Sequence, residues 1–322
     1  MENKNATVIG SGRWGSFIAW YLRRQGRSVL IYGRKDSERF NKLRTQRGNQ
    51  YLSFDDGVSY TDDLKKAIAF SDDIFISISA QSLRGLSQSI ALAGWNKSKT
   101  VILCMKGLEE CTGDRLSTIA SNSLGSDNIA VWVGPGHVQD FLSGRSNCMV
   151  IDSMRPELTM RLVDELGSDL IRFYRGDDLI GNEVGAAAKN VIGIAAGALD
   201  GLGYQALKGA LMSRGAREIG RLIAAMGGKE ITAYGLAHLG DYEATLFSDF
   251  SHNREYGKCL AMGKPYDSLA EGRATCKAIM VLSAMYEVDM PICNAVYEVI
   301  FNGADIKDVL HELFLRDVKK EF

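Results

Sequence analysis

Short apolar runs separated by amphipathic stretches dominate the first half of the chain. Residues 6–9, 28–32, 73–78, 100–104, 129–133 and 147–151 each string together β-branched and large apolar side chains with little polar alternation. Such runs predict strands covered on both faces, as in a parallel sheet. The amphipathic stretches between them, such as residues 14–25, predict the covering helices. From about Asp178 the pattern changes, as Ala, Gly, Leu and Met recur at helical spacing and strand signals fade. We therefore expect an α/β chain of two domains: a parallel-sheet domain over residues 1–178 and an all-α domain over residues 179–322.

Composition narrows the function classes. The 322 residues suffice for two ordinary cores, and 38 basic against 39 acidic side chains leave a formal net charge of −1. No global charge draws the chain to nucleic acid or an anionic membrane. No apolar stretch reaches the ~20 residues of a membrane span, and the first strand follows Met1 too closely for a signal peptide. Six cysteines are scattered with no C-x-x-C pair, which suits reduced thiols in a cytoplasmic protein. The four histidines show no metal-ligand spacing, so no metal is expected.

The first chemical signal is Val8-Ile9-Gly10-Ser11-Gly12-Arg13-Trp14-Gly15. It fits G-x-G-x-x-G directly after a strand and at the opening of a helix. Gly10 permits the tight turn, Gly12 lets a pyrophosphate reach the backbone, and Gly15 allows close helix–strand packing. Unpaired N–H groups at the helix start would hold the phosphates. At the end of the second strand, where an acid would select NAD, stand Tyr32-Gly33-Arg34-Lys35, with no acid before Asp36. Arg34 can pair with a 2′-phosphate, which leans the choice toward NADP over NAD; an ordinary solvated Arg-Lys pair is the alternative.

The second signal is Lys189, a lone cation in the small-residue helical stretch of residues 182–198. Its neighbours at helical spacing, Gly185, Ala186, Ile192 and Gly193, offer no ion pair. Such a lysine either extends its stem to solvent or sits beside a ligand, where a desolvated ammonium can give or take a proton.

Taken together, the blocks Gly10 to Gly15, Gln81-Ser82-Leu83-Arg84, Lys106-Gly107-Leu108-Glu109, Gly134-Pro135, Lys189-Asn190-Val191-Ile192 and Leu239-Gly240-Asp241 carry a family pattern. Ser251, Asn253-Arg254, Glu271-Gly272 and Met290-Pro291-Ile292 continue it. In order and spacing they resemble the bacterial NAD(P)-dependent sn-glycerol-3-phosphate dehydrogenases along nearly the whole chain. The resemblance implies a Rossmann-like first domain, a helical substrate domain and a site in the cleft between them. The implied reaction is reduction of dihydroxyacetone phosphate to sn-glycerol 3-phosphate, a glycerophospholipid precursor, by NADPH or NADH. It makes Lys189 the proton donor or acceptor and puts Lys106 beside the substrate oxygen and cofactor. Asp241 and Thr245, four residues apart, would support Lys189. Asn190, Gly134, Gly136, Ser251, His252 and Asn253 would contact substrate; Arg13, Trp14, Arg34, Arg254 and Glu271 would join the glycines at the cofactor. A homodimer is implied as well. On residues alone, Asp241 would pass for a helix cap and Glu271 for a solvated charge.

Some positions depart from the family pattern. His252 stands where arginine is usual, and is shorter and mostly neutral at pH 7. Gly136 replaces a Ser or Thr after Gly134-Pro135, with His137 following as a substitute donor; Val138 replaces a small alanine, and Ser79-Ala80 a Pro-Ser. Two other readings follow: a relative acting on a different phosphorylated keto or hydroxy compound, or a non-catalytic NAD(P) sensor. Retention of Lys106, Lys189 and Asp241 argues against a sensor, which needs no proton donor.

Overall fold

The computed structural model describes residues 4–317. Eight strands form one sheet: β1 Asn5–Ile9, β2 Ser28–Tyr32, β3 Val58–Thr61, β4 Asp73–Ile76, β5 Thr100–Leu103, β6 Ile129–Val133, β7 Asn147–Ser153 and β8 Ile171–Arg175. Their order is β3-β2-β1-β4-β5-β6-β7-β8, which makes the flanks of β1 the point where the winding reverses. The helices α1 Arg13–Arg24, α2 Glu38–Gln46, α3 Leu64–Phe70, α4 Leu83–Leu92, α5 Leu116–Leu124, α6 Val138–Leu142 and α7 Pro156–Leu166 are interleaved with the strands. Every residue of β4, β5 and β6 is buried, as expected of strands covered on both faces. The first domain is a Rossmann-like sheet.

Two features correct the sequence reading. The pair β6–β7 is antiparallel, with Val131 opposite Asp152, where parallel strands were expected throughout. A parallel return takes a crossover, usually a helix that packs across the sheet. The only helix between these strands is the five-residue α6, whose Phe141 ring is instead stacked on Phe17 of α1 at 5.0 Å. The strands β3 and β8, absent from the expectation, lie at the two sheet edges. Their half-buried patterns over VSYT and IRFYR lack the continuous apolar run that marks the interior strands.

The second unit is helical: α8 Leu179–Leu202, α9 Lys208–Ala225, α10 His252–Ala261, α11 Gly272–Tyr286, α12 Pro291–Phe301 and α13 Ile306–Phe314. Its core gathers Val184, Ala188 and Val191 of α8 with Ile219 and Leu222 of α9 and Ile279 of α11. Packing also assigns Gly107–Asp114 to this unit, although the sequence reading placed those residues in the first domain. Leu108 is fully buried in the helical core, and Glu110 Oε1 lies 2.7 Å from Lys277 Nζ. Among the described residues no helix is long and apolar enough to cross a membrane.

Candidate active site

In the sheet unit, chemistry gathers at the carboxyl end of β1. Gly10 has φ +124°, and a Cβ there would stand 2.0 Å from the Ser77 carbonyl oxygen just beyond β4. A Cβ on Gly15 would meet the Gly10 carbonyl at 2.2 Å. Both positions are therefore closed to any side chain. Gly12 is different, since its Cβ would approach only the Arg39 guanidinium, at 3.8 Å. The first bond of the α1 ladder runs from the Ser16 N–H to the Gly12 carbonyl at 2.9 Å, so the N–H groups of Arg13, Trp14 and Gly15 precede the ladder. Open space over Gly12 next to these donors is what a pyrophosphate requires. Trp14 stacks its ring on Phe17 at 5.0 Å, which leaves its backbone N–H as the group it offers at the loop. Arg34 is exposed beyond β2 with Asp36 at 3.9 Å. The nearby cation Arg39 is one that sequence reasoning missed, because nothing in α2 marks its proximity to Gly12.

Lys106 follows β5, and its Nζ donates to the Gly134 carbonyl at 2.7 Å. Gly134 has φ +125°, and a Cβ there would meet Met149 Cα at 3.0 Å, so glycine is needed to present that carbonyl. Gly136 has φ +149°, and its Cβ would lie 2.4 Å from the Phe141 ring. The hydroxyl missing at Gly136 is thus matched by an aromatic ring filling the space a side chain would take.

In the helical unit, α8 carries Lys189 with its ammonium turned inward. Nζ stands 2.6 Å from Asp241 Oδ2 and donates to Thr245 Oγ1 at 2.9 Å; Thr245 in turn donates to the Asp241 carbonyl at 2.8 Å. The Lys189 side chain is 10% exposed and that of Asp241 1%, so solvent screens this pair little. Asp241 ends a single 3₁₀ turn, and Thr245 lies in the π-helical turn Glu243–Phe247 that follows. The tight and wide turns replace the regular helix that would put positions 241 and 245 on one face, yet both residues still reach Lys189. Gly193, one turn beyond Lys189, makes room: a Cβ there would press on Thr245 Cγ2 at 2.8 Å.

Of the residues expected at the substrate, Asn190 lies on α8, and Ser251, His252 and Asn253 lie at the start of α10. Asn190 is buried, and its side-chain amide has no hydrogen-bond partner among the described residues. Asn253 Oδ1 accepts the Gly272 N–H at 2.9 Å, next to Glu271 at the start of α11. Ser251 caps α10, its Oγ accepting the Arg254 N–H at 3.3 Å. His252 Nδ1 lies 2.9 Å from the Tyr266 hydroxyl. Arg254 is held in ion pairs that no sequence pattern marks: Nε to Asp200 at 2.6 Å and Nη1 to Asp249 at 2.9 Å. The Asp200 side chain is 7% exposed and also pairs with Lys208 at 2.6 Å.

Two buried titratable groups escaped the sequence reading. His238 is fully buried, and burial with the nearby Lys189 charge pulls it down to about 4. Glu218 accepts the N–H groups of Ile292 and Cys293 at the start of α12, and burial pushes it up to about 7. The sign for His238 follows from linkage. Its folded value lies below the ordinary 6.5, so its neutral form contributes stability above about pH 6.5 that is lost as pH falls toward 4. Wild-type protein should therefore lose stability relative to His238→Asn across that window. Parallel denaturation curves at several pH values check this, and equal pH dependence of the two would refute it.

Residues 5–159 match the N-terminal domain, and residues 178–311 the C-terminal domain, of NAD-dependent glycerol-3-phosphate dehydrogenase. The chain is 34% identical to a glycerol-3-phosphate dehydrogenase [NAD(P)+] of Clostridium botulinum, with 98% of each chain covered. It is 33% identical to the Fusobacterium nucleatum protein of that name, again with 98% of each covered. The crystal structure of glycerol-3-phosphate dehydrogenase from Coxiella burnetii superposes with a TM-score of 0.90 at 25% identity, covering 98% of this chain and 99% of that one. A dinucleotide loop at the winding reversal, a buried lysine–aspartate pair and full-length similarity thus converge: this chain belongs to the NAD-dependent glycerol-3-phosphate dehydrogenase family.

Proposed function

We propose that this protein reduces dihydroxyacetone phosphate to sn-glycerol 3-phosphate with NADPH or NADH, supplying glycerophospholipid synthesis. The observation that carries the reading is the Lys189–Asp241–Thr245 cluster. The bound dinucleotide supplies the hydride that reaches the carbonyl carbon of the substrate. Lys189 gives its proton to the C2 oxygen as that carbon is reduced, and the resulting amine regains a proton from solvent. Asp241 at 2.6 Å holds the ammonium in place and keeps it charged before transfer. Thr245 fixes a second Nζ direction. The buried Asn190 amide is a substrate donor, with Gly134 and Gly136 lining the approach. Lys106 provides a second positive charge for the developing alkoxide. Ser251, His252 and Asn253 receive the phosphate.

On the cofactor side, the Gly10, Gly12 and Gly15 loop with the Arg13 and Trp14 N–H groups takes the pyrophosphate, and Arg34 meets the 2′-phosphate. Arg254 and Glu271 complete that side. Exposure of Arg34 and the absence of an acid before Asp36 support NADPH over NADH. A cytoplasmic setting is supported by six free thiols. A homodimer through the helical unit is supported by α13, which buries none of its residues although Ile306, Val309, Leu310 and Leu313 share a face. Neither a different phosphorylated substrate nor a sensor role finds support in the matched relatives.

Phosphate recognition tests this reading. Dihydroxyacetone lacking the phosphate should be used about a hundredfold less efficiently, the loss of several charge-assisted bonds. Replacing His252 by arginine should lower KM for dihydroxyacetone phosphate about three- to tenfold with kcat little changed, since a guanidinium binds phosphate in two places. Equal use of both ketones would contradict the phosphate site, and an unchanged KM in His252→Arg would remove His252 from it.

A further inference from the structure

Beside Lys189 lies a hydrogen-bonded pair with no part in the reaction as described. His238 Nδ1 is 2.8 Å from the carbonyl oxygen of Gly185, and Nε2 is 2.7 Å from the hydroxyl of Tyr242. A carbonyl only accepts, so Nδ1 carries the proton and Nε2 receives the Tyr242 O–H. Both side chains are fully buried. Their placement ties two elements together. Gly185 precedes Lys189 by four residues in α8, so its carbonyl is the helical acceptor of the Lys189 N–H. Tyr242 directly follows Asp241. Glycines clear the space on either side: a Cβ on Gly185 would come within 3.0 Å of His238 Cβ, and one on Gly215 of α9 within 3.2 Å of the Tyr242 hydroxyl.

We propose that His238 and Tyr242 are a positioning pair, fixing the turn that bears Asp241 and Thr245 against the α8 turn that bears Lys189. This rests on the reading of Lys189 as the proton donor. The neutral imidazole lets the Tyr242 O–H donate to Nε2, whereas a second proton would reverse that bond and leave the phenol O–H without this acceptor. The groups around it favour the neutral ring. Lys189 of α8 repels a charged ring and burial disfavours one, with Asp241 as the opposing acid. Around the phenol stand Glu218 of α9, Cys293 of α12 and Tyr234, and burial holds its O–H protonated. A misplacement of Lys189 against Asp241 by a fraction of an ångström would slow proton transfer without touching cofactor or phosphate contacts.

The test uses Tyr242→Phe, His238→Leu and His238→Asn in the full-length protein. Tyr242→Phe and His238→Leu should lower kcat about tenfold or more and shift its pH profile, with KM for dihydroxyacetone phosphate and NADPH affinity within about twofold of wild type. His238→Asn, whose amide N–H can still reach the Gly185 carbonyl, should recover most of the activity that His238→Leu loses. Independently of turnover, nitrogen NMR of the four histidines should show one ring as the neutral Nδ1–H tautomer throughout pH 5 to 8. Variants that melt earlier yet keep wild-type kcat and pH profile would overturn the proposal, and so would a buried ring titrating near 6.5. If Lys189→Met kept its turnover, the reading of Lys189 itself would fall, while the NMR result would still report on the pair.

Discussion

Replacing Lys189 by methionine is expected to lower kcat for dihydroxyacetone phosphate by about a thousandfold while NADPH still binds. General acid catalysis contributes on the order of 10²–10⁴ in rate, and Lys189 is the cation that pairs with Asp241 at 2.6 Å and bonds Thr245 at 2.9 Å. The variant carries a second effect. Asp241 is 1% exposed, so loss of the ammonium removes the counter-charge from a buried carboxylate, costing roughly 3–5 kcal/mol of stability. Activity lost through unfolding must therefore be separated from activity lost through chemistry. The double variant Lys189→Met with Asp241→Asn removes both charges together. It should regain most of the melting temperature and none of the turnover. Steady-state kinetics, a fluorescence titration with NADPH and a thermal melt decide the matter. A double variant that recovers turnover along with stability would contradict the chemical role.

Gly197→Ala is expected to destabilise the helical unit by roughly 3 kcal/mol and to raise KM for dihydroxyacetone phosphate about tenfold. The cause is a backbone crossing. A Cβ on Gly197 of α8 would lie 1.8 Å from the Arg254 carbonyl oxygen of α10, and a Cβ on Gly257 of α10 would lie 1.9 Å from the Ile194 carbonyl oxygen. The two helices meet glycine to backbone in both directions, and no rotamer change relieves such a contact. Even one methyl group must push α10 away from α8. Ser251, His252 and Asn253 lie at the leading end of α10, so the proposed phosphate contacts move with the helix. Gly209→Ala on α9 is the control: nothing lies within 4 Å of its Cβ, and better helix propensity should leave stability equal or slightly raised. Thermal melts and KM values for both variants check the contrast. A Gly197→Ala protein as stable as Gly209→Ala, with an unchanged KM, would remove the crossing from the account.

These expectations rest partly on what the sequence reveals unaided. Interior strands and the nucleotide turn are legible because burial on both faces demands continuous apolar runs, and because Gly10 and Gly15 have no room for a Cβ. The edge strands β3 and β8 are not, since one solvated side admits Ser59, Arg172 and Arg175 into the pattern. Strand direction at β6–β7 is set by where α6 packs, which no local pattern encodes. Lys189 stands out because an isolated cation among alanines and glycines calls for a partner, but that partner lies 52 residues away on irregular turns. Asp241 therefore becomes identifiable only from the resemblance or the structure. The Asp200 bridge between Lys208 and Arg254 is hidden for the same reason, and His238 is hidden because a buried imidazole and a surface one look alike in a sequence.

The central claim is that the Lys189–Asp241–Thr245 cluster serves reduction of dihydroxyacetone phosphate. The most direct measurement is the absorbance-monitored oxidation of NADPH and NADH by the purified protein with that ketone, coupled to assay of the product. The account predicts rapid turnover, one sn-glycerol 3-phosphate formed per nucleotide oxidised, and NADPH used at least as well as NADH. Tight nucleotide binding with no oxidation on adding the ketone would contradict it.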